Sequence, residues 1–339
     1  MVPASPHVLG FDIGGANIKV ASDRGQAAAM VFPLWKNPQG LAEALRVLTA
    51  KFAPADYYVV TMTGELADCF YDRGEGVREI VHQSLAALGS DTTFYSLDGR
   101  FLSGAEAIAD DRLVAAANWH ALASLAAKWC RGEGLLIDIG STTSDFIPLC
   151  DGRVATDSRT DYDRLVRGEL VYAGIGRTPI CALVEGLPFL GQLVPIMNEV
   201  FATTDDCALL MGLVEEEPGN TDTCDGRGRT LGDAGNRMAR MIGLDHRQVT
   251  LEDAKIMSAY VIERLRAQLA VSTQVLSSPG ATWVLTGHGV HLLSPPHDRV
   301  CLDLGSILGA ELSRVAPAYA VARLALAEFA ALDVLPVLS

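Results

Sequence analysis

The chain reads as an α/β protein of two similar lobes around a central cleft. Three observations predict this. A strand–turn–strand unit, VLGFDIGGANIKV, spans residues 8–20. A second unit, GLLIDIGSTTSDFIPL, spans 134–149, and a shift of 126 positions sets Asp138 on Asp12. A third glycine turn, Thr286-Gly287-His288-Gly289, follows the apolar run Trp283–Leu285. Recurrence of one supersecondary unit implies a duplicated architecture, and strand-like runs alternating with helical periodicity imply sheets covered by helices.

In the first unit, Val8 to Phe11 reads as a buried strand, Asp12 ends it, and Gly14-Gly15 makes the bend. The returning strand sets Asn17 and Lys19 on one side and Ile18 and Val20 on the other. Glycines at a tight bend let backbone N–H groups approach an anion. An acid at the strand end suits a hydrated cation. In the second unit the same shift sets Gly140 on Gly14, Ser141 on Gly15, Thr143 on Asn17 and Asp145 on Lys19. Asp12 and Asp138 then point into one cleft. The turns Gly14-Gly15, Ser141-Thr142-Thr143 and Gly287-His288-Gly289 offer donors to phosphoryl oxygens from several sides.

Between the units, Gln39–Phe52 carries Leu41, Leu45 and Leu48 at helical spacing. Tyr57–Met62 is a buried strand delivering Thr63-Gly64-Glu65, which is either a site element beyond a strand end or a helix start capped by Glu65. Val77–Leu88 is a helix, Thr93–Leu97 a strand, and Ala105–Ala127 one alanine-rich helix holding Asn118, Trp119 and His120. Trp119 and His120 read as core; the amide of Asn118 among apolar neighbours needs a partner. The first lobe is set at 1–132 and the second at 133–339.

In the second lobe, 156–179 is dense in charge and ends in Gly-Arg-Thr-Pro. It reads as a structured loop, with Arg177 suited to clamp a phosphate or carboxylate. Residues 180–245 read as an insertion shaping an acceptor pocket, with Asp225 and Arg227 pairing across a loop. Leu251–Val275 is a long helix with Ile256, Tyr260, Ile262, Leu265 and Leu269 on its buried side. Helices over 306–331, interrupted at Pro317, close the chain.

With 339 residues, 49% of them hydrophobic and 20% charged, the chain can build two cores and is not a disordered type. A formal charge of −14 argues against nucleic acid, though local amides and Lys can still hold a phosphorylated ligand. Seven cysteines without CxxC spacing argue against a disulfide framework or structural zinc and for a reducing cytoplasm. The start, MVPASPH, lacks a basic segment and apolar core, so no signal peptide is expected. Val315–Leu332 contains Arg323 and Glu328 and reads as an amphipathic helix, not a membrane span.

The order DIGG, DIGSTT, TGHG resembles the actin-like ATPase superfamily of sugar kinases, heat-shock chaperones and actin. Within it the chain is similar to the hydantoinase/oxoprolinase-related branch, and there to tetrahydromethanopterin-linked one-carbon pathway proteins. That group includes the synthase joining an aminomethylfuran to a tyramine-type phenol in methanofuran biosynthesis. The residues carrying this narrower match are 61–70 (TMTGELADCF), Asn118-Trp119, 159–179 (RTDYDRLVRGELVYAGIGRTP), Val194-Pro195 and Asp225-Gly226-Arg227.

The resemblance implies two actin-like, ribonuclease H-like lobes. It further implies a transferase of methanofuran or methylofuran type that joins a furylmethyl diphosphate to a phenol and releases diphosphate. Mg²⁺ is then the cofactor, held by Asp12 and Asp138 mainly through water, with Lys19 beside them. Asp145, Glu65 and Asp161 are candidate bases. Asn118, Asp161, Arg164, Tyr172 and Arg177 are candidate substrate contacts, the arginines for acceptor carboxylates. Phe189 and Trp119 would exclude water. Two further readings stand beside this one: an ATP-dependent kinase or hydantoinase/oxoprolinase-like amidohydrolase, and a non-catalytic partner in a one-carbon pathway. His288 leans away from ATP because an adenosine pocket favours small residues there, unless its ring points outward. Polar groups retained at every phosphate position argue against the non-catalytic reading. The expected partners are small molecules, not nucleic acid or membrane, and a homo-oligomer is compatible with this.

Overall fold

A computed structural model describes residues 6–330. The first sheet contains β1 (Val8–Ile13), β2 (Asn17–Ser22), β3 (Ala27–Val31), β4 (Tyr57–Met62), β5 (Thr93–Tyr95) and β6 (Phe101–Leu102) in the order β3-β2-β1-β4-β5-β6. β2 and β3 run antiparallel from β1, while β4 and β5 run parallel to it on the other side. The second sheet contains β7 (Glu133–Ile139), β8 (Ser144–Cys150), the short β9 (Arg153–Val154) and β10 (Leu170–Val171). After a separate hairpin, β11 (Gly186–Phe189) and β12 (Gln192–Pro195), the sheet is completed by β13 (Thr282–Thr286) and β14 (Cys301–Asp303). Its order is β10-β8-β7-β13-β14, with antiparallel pairs on one side of β7 and parallel pairs on the other. Both sheets therefore share one ribonuclease H-like plan. The molecule is α/β with two actin-like lobes.

The sequence explains the layering. Every residue of β1 is buried, as a central strand covered on both faces requires. Helices Leu41–Thr49 and Arg73–Leu88 cover the outer face of the first sheet. Helices Thr204–Leu210 and Leu251–Leu276 cover that of the second, together with Leu231–Arg240. Between the sheets lie helices Asn118–Ala127 and Ala316–Ala330, which pack on each other. Their core joins Val8 and Val59 of the first sheet to Ile147 and Val284 of the second. Alanines keep these helices thin. At Gly10 the approach is so close that a Cβ would collide with the carbonyl oxygen of Ala318.

Some sequence expectations are corrected. The single helix over Ala105–Ala127 is three: Gly104–Ala109, Asp111–Val114 and Asn118–Ala127. The second break, between Val114 and Asn118, contains Ala116, whose φ of 49° lies in the left-handed region and cannot continue a helix. Pro317 does not interrupt the last helix; it sits in its first turn, where a missing N–H costs nothing. Ile256 is exposed on the long helix, and Met257, Val261 and Ser258 take its place on the buried face. Among the described residues no helix is long and apolar enough to cross a membrane. Position 331, expected in the last helix, and Leu332 of the apolar stretch lie outside the described residues.

Candidate functional site

The two hairpins are built alike down to single hydrogen bonds. Gly14 N–H donates to Asn17 O at 2.9 Å, and Gly140 N–H to Thr143 O at 2.9 Å. Asp12 stands across from Lys19 in one ladder and Asp138 across from Asp145 in the other. The neighbouring parallel strands present Thr61 beside Asp12 and Thr286 beside Asp138. Thr63 N–H then closes onto Ile13 O in the first lobe, and Gly289 N–H onto Ile139 O in the second, both at 2.9 Å. Among the described residues the N–H groups of Gly15, Ala16, Ser141 and Thr142 have no protein acceptor. Two facing turns thus present unspent amide donors.

The turns open into one cleft of about 1010 Å³ between the lobes. Its first-lobe wall includes Asp12, Gly14, Gly15, Asn17 and Lys19, with Asn118 nearby. Its second-lobe wall includes Asp138, Gly140, Ser141, Thr142, Thr143 and Asp145. Gly287 and His288 complete it, and Tyr172 and Arg177 stand at its side. Asn118 is the first residue of its helix, and its side-chain oxygen accepts from Trp119 N–H at 2.7 Å. Arg177 donates from Nε to Thr142 Oγ1 at 2.9 Å, while its own N–H and that of Gly176 bind Ser141 O. The Gly-Arg-Thr-Pro loop therefore braces the second turn.

Electrostatically the floor is two acids and one amine. Lys19 Nζ lies 3.8 Å from Asp12 Oδ2, and Asp12 Oδ1 is buried without a hydrogen-bond partner. Burial raises the Asp12 carboxyl above its ordinary range, and Lys19 pulls it back. Burial pushes Asp138 up to about 6, again with Lys19 opposing. His288 is shifted down by burial and by the cations Lys19 and Arg314, so its imidazole is neutral at pH 7. An orphaned buried oxygen on Asp12, in the same cleft lining as Asp138, fits a cation. Among the described residues no three His, Cys, Asp or Glu side chains converge on one point. The donor set therefore suits a hydrated ion rather than a fully protein-coordinated one.

Four expected site residues lie elsewhere. Glu65 is 1% exposed and does not line the cleft; burial pushes its carboxyl up to about 7, with Arg73 opposing. Gly76 packs directly on its backbone: a Cβ there would collide with the Glu65 carbonyl oxygen. Arg164 is 3% exposed and cannot touch a substrate: it is spent on Asp145, on Asp161 at 3.1 Å, and on the Trp119 ring at 4.5 Å. Burial brings it down to about 9, which leaves it charged at neutral pH. Asp161 is that partner, outside the cleft wall. Gly289 has already used its N–H on Ile139 and is not in the wall either.

The insertion does not shape this cleft, because none of residues 180–245 lines it. Phe189 packs into the second-lobe core and Trp119 lies beneath Arg164, so neither shields the cleft from water. The insertion is held instead by Arg237, wholly buried between Asp206 and Asp225 at 2.7 and 3.0 Å. Asp225 also meets Arg227, at 3.8 Å. Cleft residues that the sequence did not reveal include Trp35, Asp303 and Arg314. They lie outside the glycine turns, and Arg314 reaches the cleft only because the last helix returns to the first lobe.

Residues 56–324 match the hydantoinase/oxoprolinase family. A Methanocaldococcus jannaschii protein is 31% identical over 94% of this chain and 97% of its own. It is named as the synthase of a furan-2-yl methanamine bearing a 4-(2-(γ-L-glutamylamino)ethyl)phenoxymethyl group. A Methanococcus vannielii protein of the same name is 32% identical over 35% of this chain and 54% of its own. Among solved structures, component A of the Acidaminococcus fermentans (R)-2-hydroxyglutaryl-CoA dehydratase is 13% identical at a TM-score of 0.48, over 97% of this chain and 100% of its own.

Proposed function

The chain belongs to the hydantoinase/oxoprolinase family, and we propose that within it the protein is a transferase forming the aryl ether of a furan-based one-carbon carrier. The observation that carries this is the likeness to the Methanocaldococcus jannaschii synthase along almost the whole of both chains. The substrates are an aminomethyl-furylmethyl diphosphate and a tyramine-type phenol, and the products are the ether and diphosphate. The cytoplasm, where such small metabolites occur, is its place.

The cleft suits this chemistry. Amide donors on two facing turns, with Lys19 between them, can hold both phosphates of the leaving group. The methylene carbon–oxygen bond breaks with its electron pair going to diphosphate. The furan ring, being electron-rich, stabilises the positive charge left on the carbon. A lone pair of the phenol oxygen forms the new bond. Of the residues Asp145, Glu65 and Asp161 only Asp145 lines the cleft, and its carboxylate is engaged by Arg164. The phenol proton therefore goes to the neutral imidazole of His288. Asp12 and Asp138 would hold a hydrated Mg²⁺. When bound, that ion would neutralise charge on the diphosphate.

The test is magnesium-dependent release of diphosphate. It is expected only when furan diphosphate and phenol are both present, and without ATP. Turnover of ATP in the absence of the furan would replace this reading with a kinase or amidohydrolase. Silence in both assays would favour a binding partner.

A further inference from the structure

Lys19 and Asp145 hold the same place in the two hairpins, each across the ladder from the lobe's cleft acid. The duplication thus carries a charge reversal: an ammonium on the first-lobe wall, a carboxylate on the second. Lys19 lies beside Asp12 in the cleft wall, at the end that would hold diphosphate in the reading above. Asp145 has no lysine beside it. One of its oxygens is committed to Arg164, and the side chain remains 18% exposed in the cleft wall.

Arg164 is itself held in place beside that carboxylate. Its guanidinium lies over the Trp119 ring at 4.5 Å, and Asp161 takes Nη1 at 3.1 Å. It is buried, so it orients Asp145 without competing for a ligand in the cleft. The other cleft acids are otherwise employed. Asp12 faces Lys19, and Asp303 caps helix Leu304–Leu308 by accepting from Gly305 and Ser306 N–H. Asp138 would hold the cation with Asp12 in the transferase reading above. The second-lobe wall therefore offers one carboxylate preset by Arg164 through one oxygen, with its other oxygen left to a ligand in the cleft.

The product of the relative is a methanamine, so its furan half carries a primary alkylamine, an ammonium at neutral pH. We propose that Asp145, positioned by Arg164, receives the ammonium of the aminomethyl arm and thereby selects the furan substrate. This rests on the transferase reading above. Lys19 and Asp145 then hold the two ends of one small zwitterionic substrate, which fixes its methylene carbon between them.

The test is steady-state diphosphate release from two furylmethyl diphosphates, one with the aminomethyl arm and one with a methyl group in its place. The wild-type protein is expected to favour the amine about 10–100-fold in kcat/KM. Asp145→Asn should raise KM for the amine toward that of the methyl analogue, so that the wild-type preference between the two furans is lost. Arg164→Lys should do the same more weakly. An equal fall of kcat with both furans would make Asp145 a proton acceptor or a structural group and overturn the proposal. Equal use of both furans by the wild-type protein would overturn it without any variant. A wild-type protein that releases diphosphate from neither furan would sink the transferase reading and this inference with it.

Discussion

Gly287 lies directly against Asp138: a Cβ at 287 would overlap the Oδ1 atom of Asp138 and the carbonyl oxygen of Ile139. Its φ of +92° is also one that side-chain-bearing residues rarely adopt. The third glycine turn therefore leaves room for the second-lobe carboxylate. Gly287→Ala should cost about 1–3 kcal/mol of stability from backbone strain. It should also displace Asp138, lowering diphosphate release even in the fraction that remains folded. A melting curve paired with activity per folded molecule checks both effects. Wild-type activity in a merely destabilised protein would separate Gly287 from the site.

Asp138→Asn isolates the carboxylate from the packing. The amide is isosteric and carries no charge to bury, so the fold should persist. Diphosphate release should fall at least about 100-fold if the charge serves the reaction, as for removal of one electrostatic group from an active site. Circular dichroism and a magnesium titration of the variant check the two halves. An unfolded variant would make Asp138 a structural residue.

Much of the site could be read from the chain because the duplication keeps local spacing. Asp12 and Asp138, Lys19 and Asp145, and the turns beside them are set by ladder register, which the sequence pattern specifies. What could not be read depends on distant packing. Arg164 reads as a substrate contact because its partners are remote: Asp145 lies 19 residues upstream and Trp119 comes from another element. Glu65 reads as a site acid because strand ends often are, yet its side chain is buried outside the cleft lining. Ala116 bends the chain ahead of Asn118 with no glycine or proline to signal it. The last helix packs on β1 across almost the full chain length, a contact no local period records.

Glu65 makes stability pH-dependent. Burial raises its carboxyl from the ordinary value of 4.5 to about 7, so the native state binds its proton more tightly than the unfolded chain. The resulting stability is fully present below pH about 4.5 and is lost as pH rises through about 7. The loss is on the order of 3 kcal/mol. Glu65→Gln should remove this slope: the variant should resemble wild type near pH 4.5 and exceed it at pH 8. Urea melts across that range are the measurement, and parallel curves for the two proteins would refute the assignment.

Arg237 tests whether the insertion and the cleft are energetically separate. It is wholly buried between Asp206 and Asp225, and Arg240 supports Asp225 at 3.2 Å. Arg237→Ala would leave buried carboxylates short of a partner, costing about 3–5 kcal/mol. No residue of this network lines the cleft. Diphosphate release per folded molecule should therefore stay within about twofold of wild type, since distant sites act additively. A specific loss of activity in folded protein would show that the insertion bears on the reaction.

Lys19 is the cation shared by both cleft acids, and its removal should affect binding and pH response together. Its amine opposes the rise of Asp12 and of Asp138. Lys19→Met keeps the stem packed while removing the charge. Both carboxyls should then shift further up, so the acid limb of the rate profile moves to higher pH. Loss of one charge-assisted contact to diphosphate should also raise KM about 10–100-fold, equivalent to about 1.4–3 kcal/mol. His288 loses a neighbouring cation at the same time, so its pKa and the second inflection should rise too. The profile of kcat/KM from pH 5 to 9 reads all three. An unchanged KM with an unchanged profile would place Lys19 outside the diphosphate site.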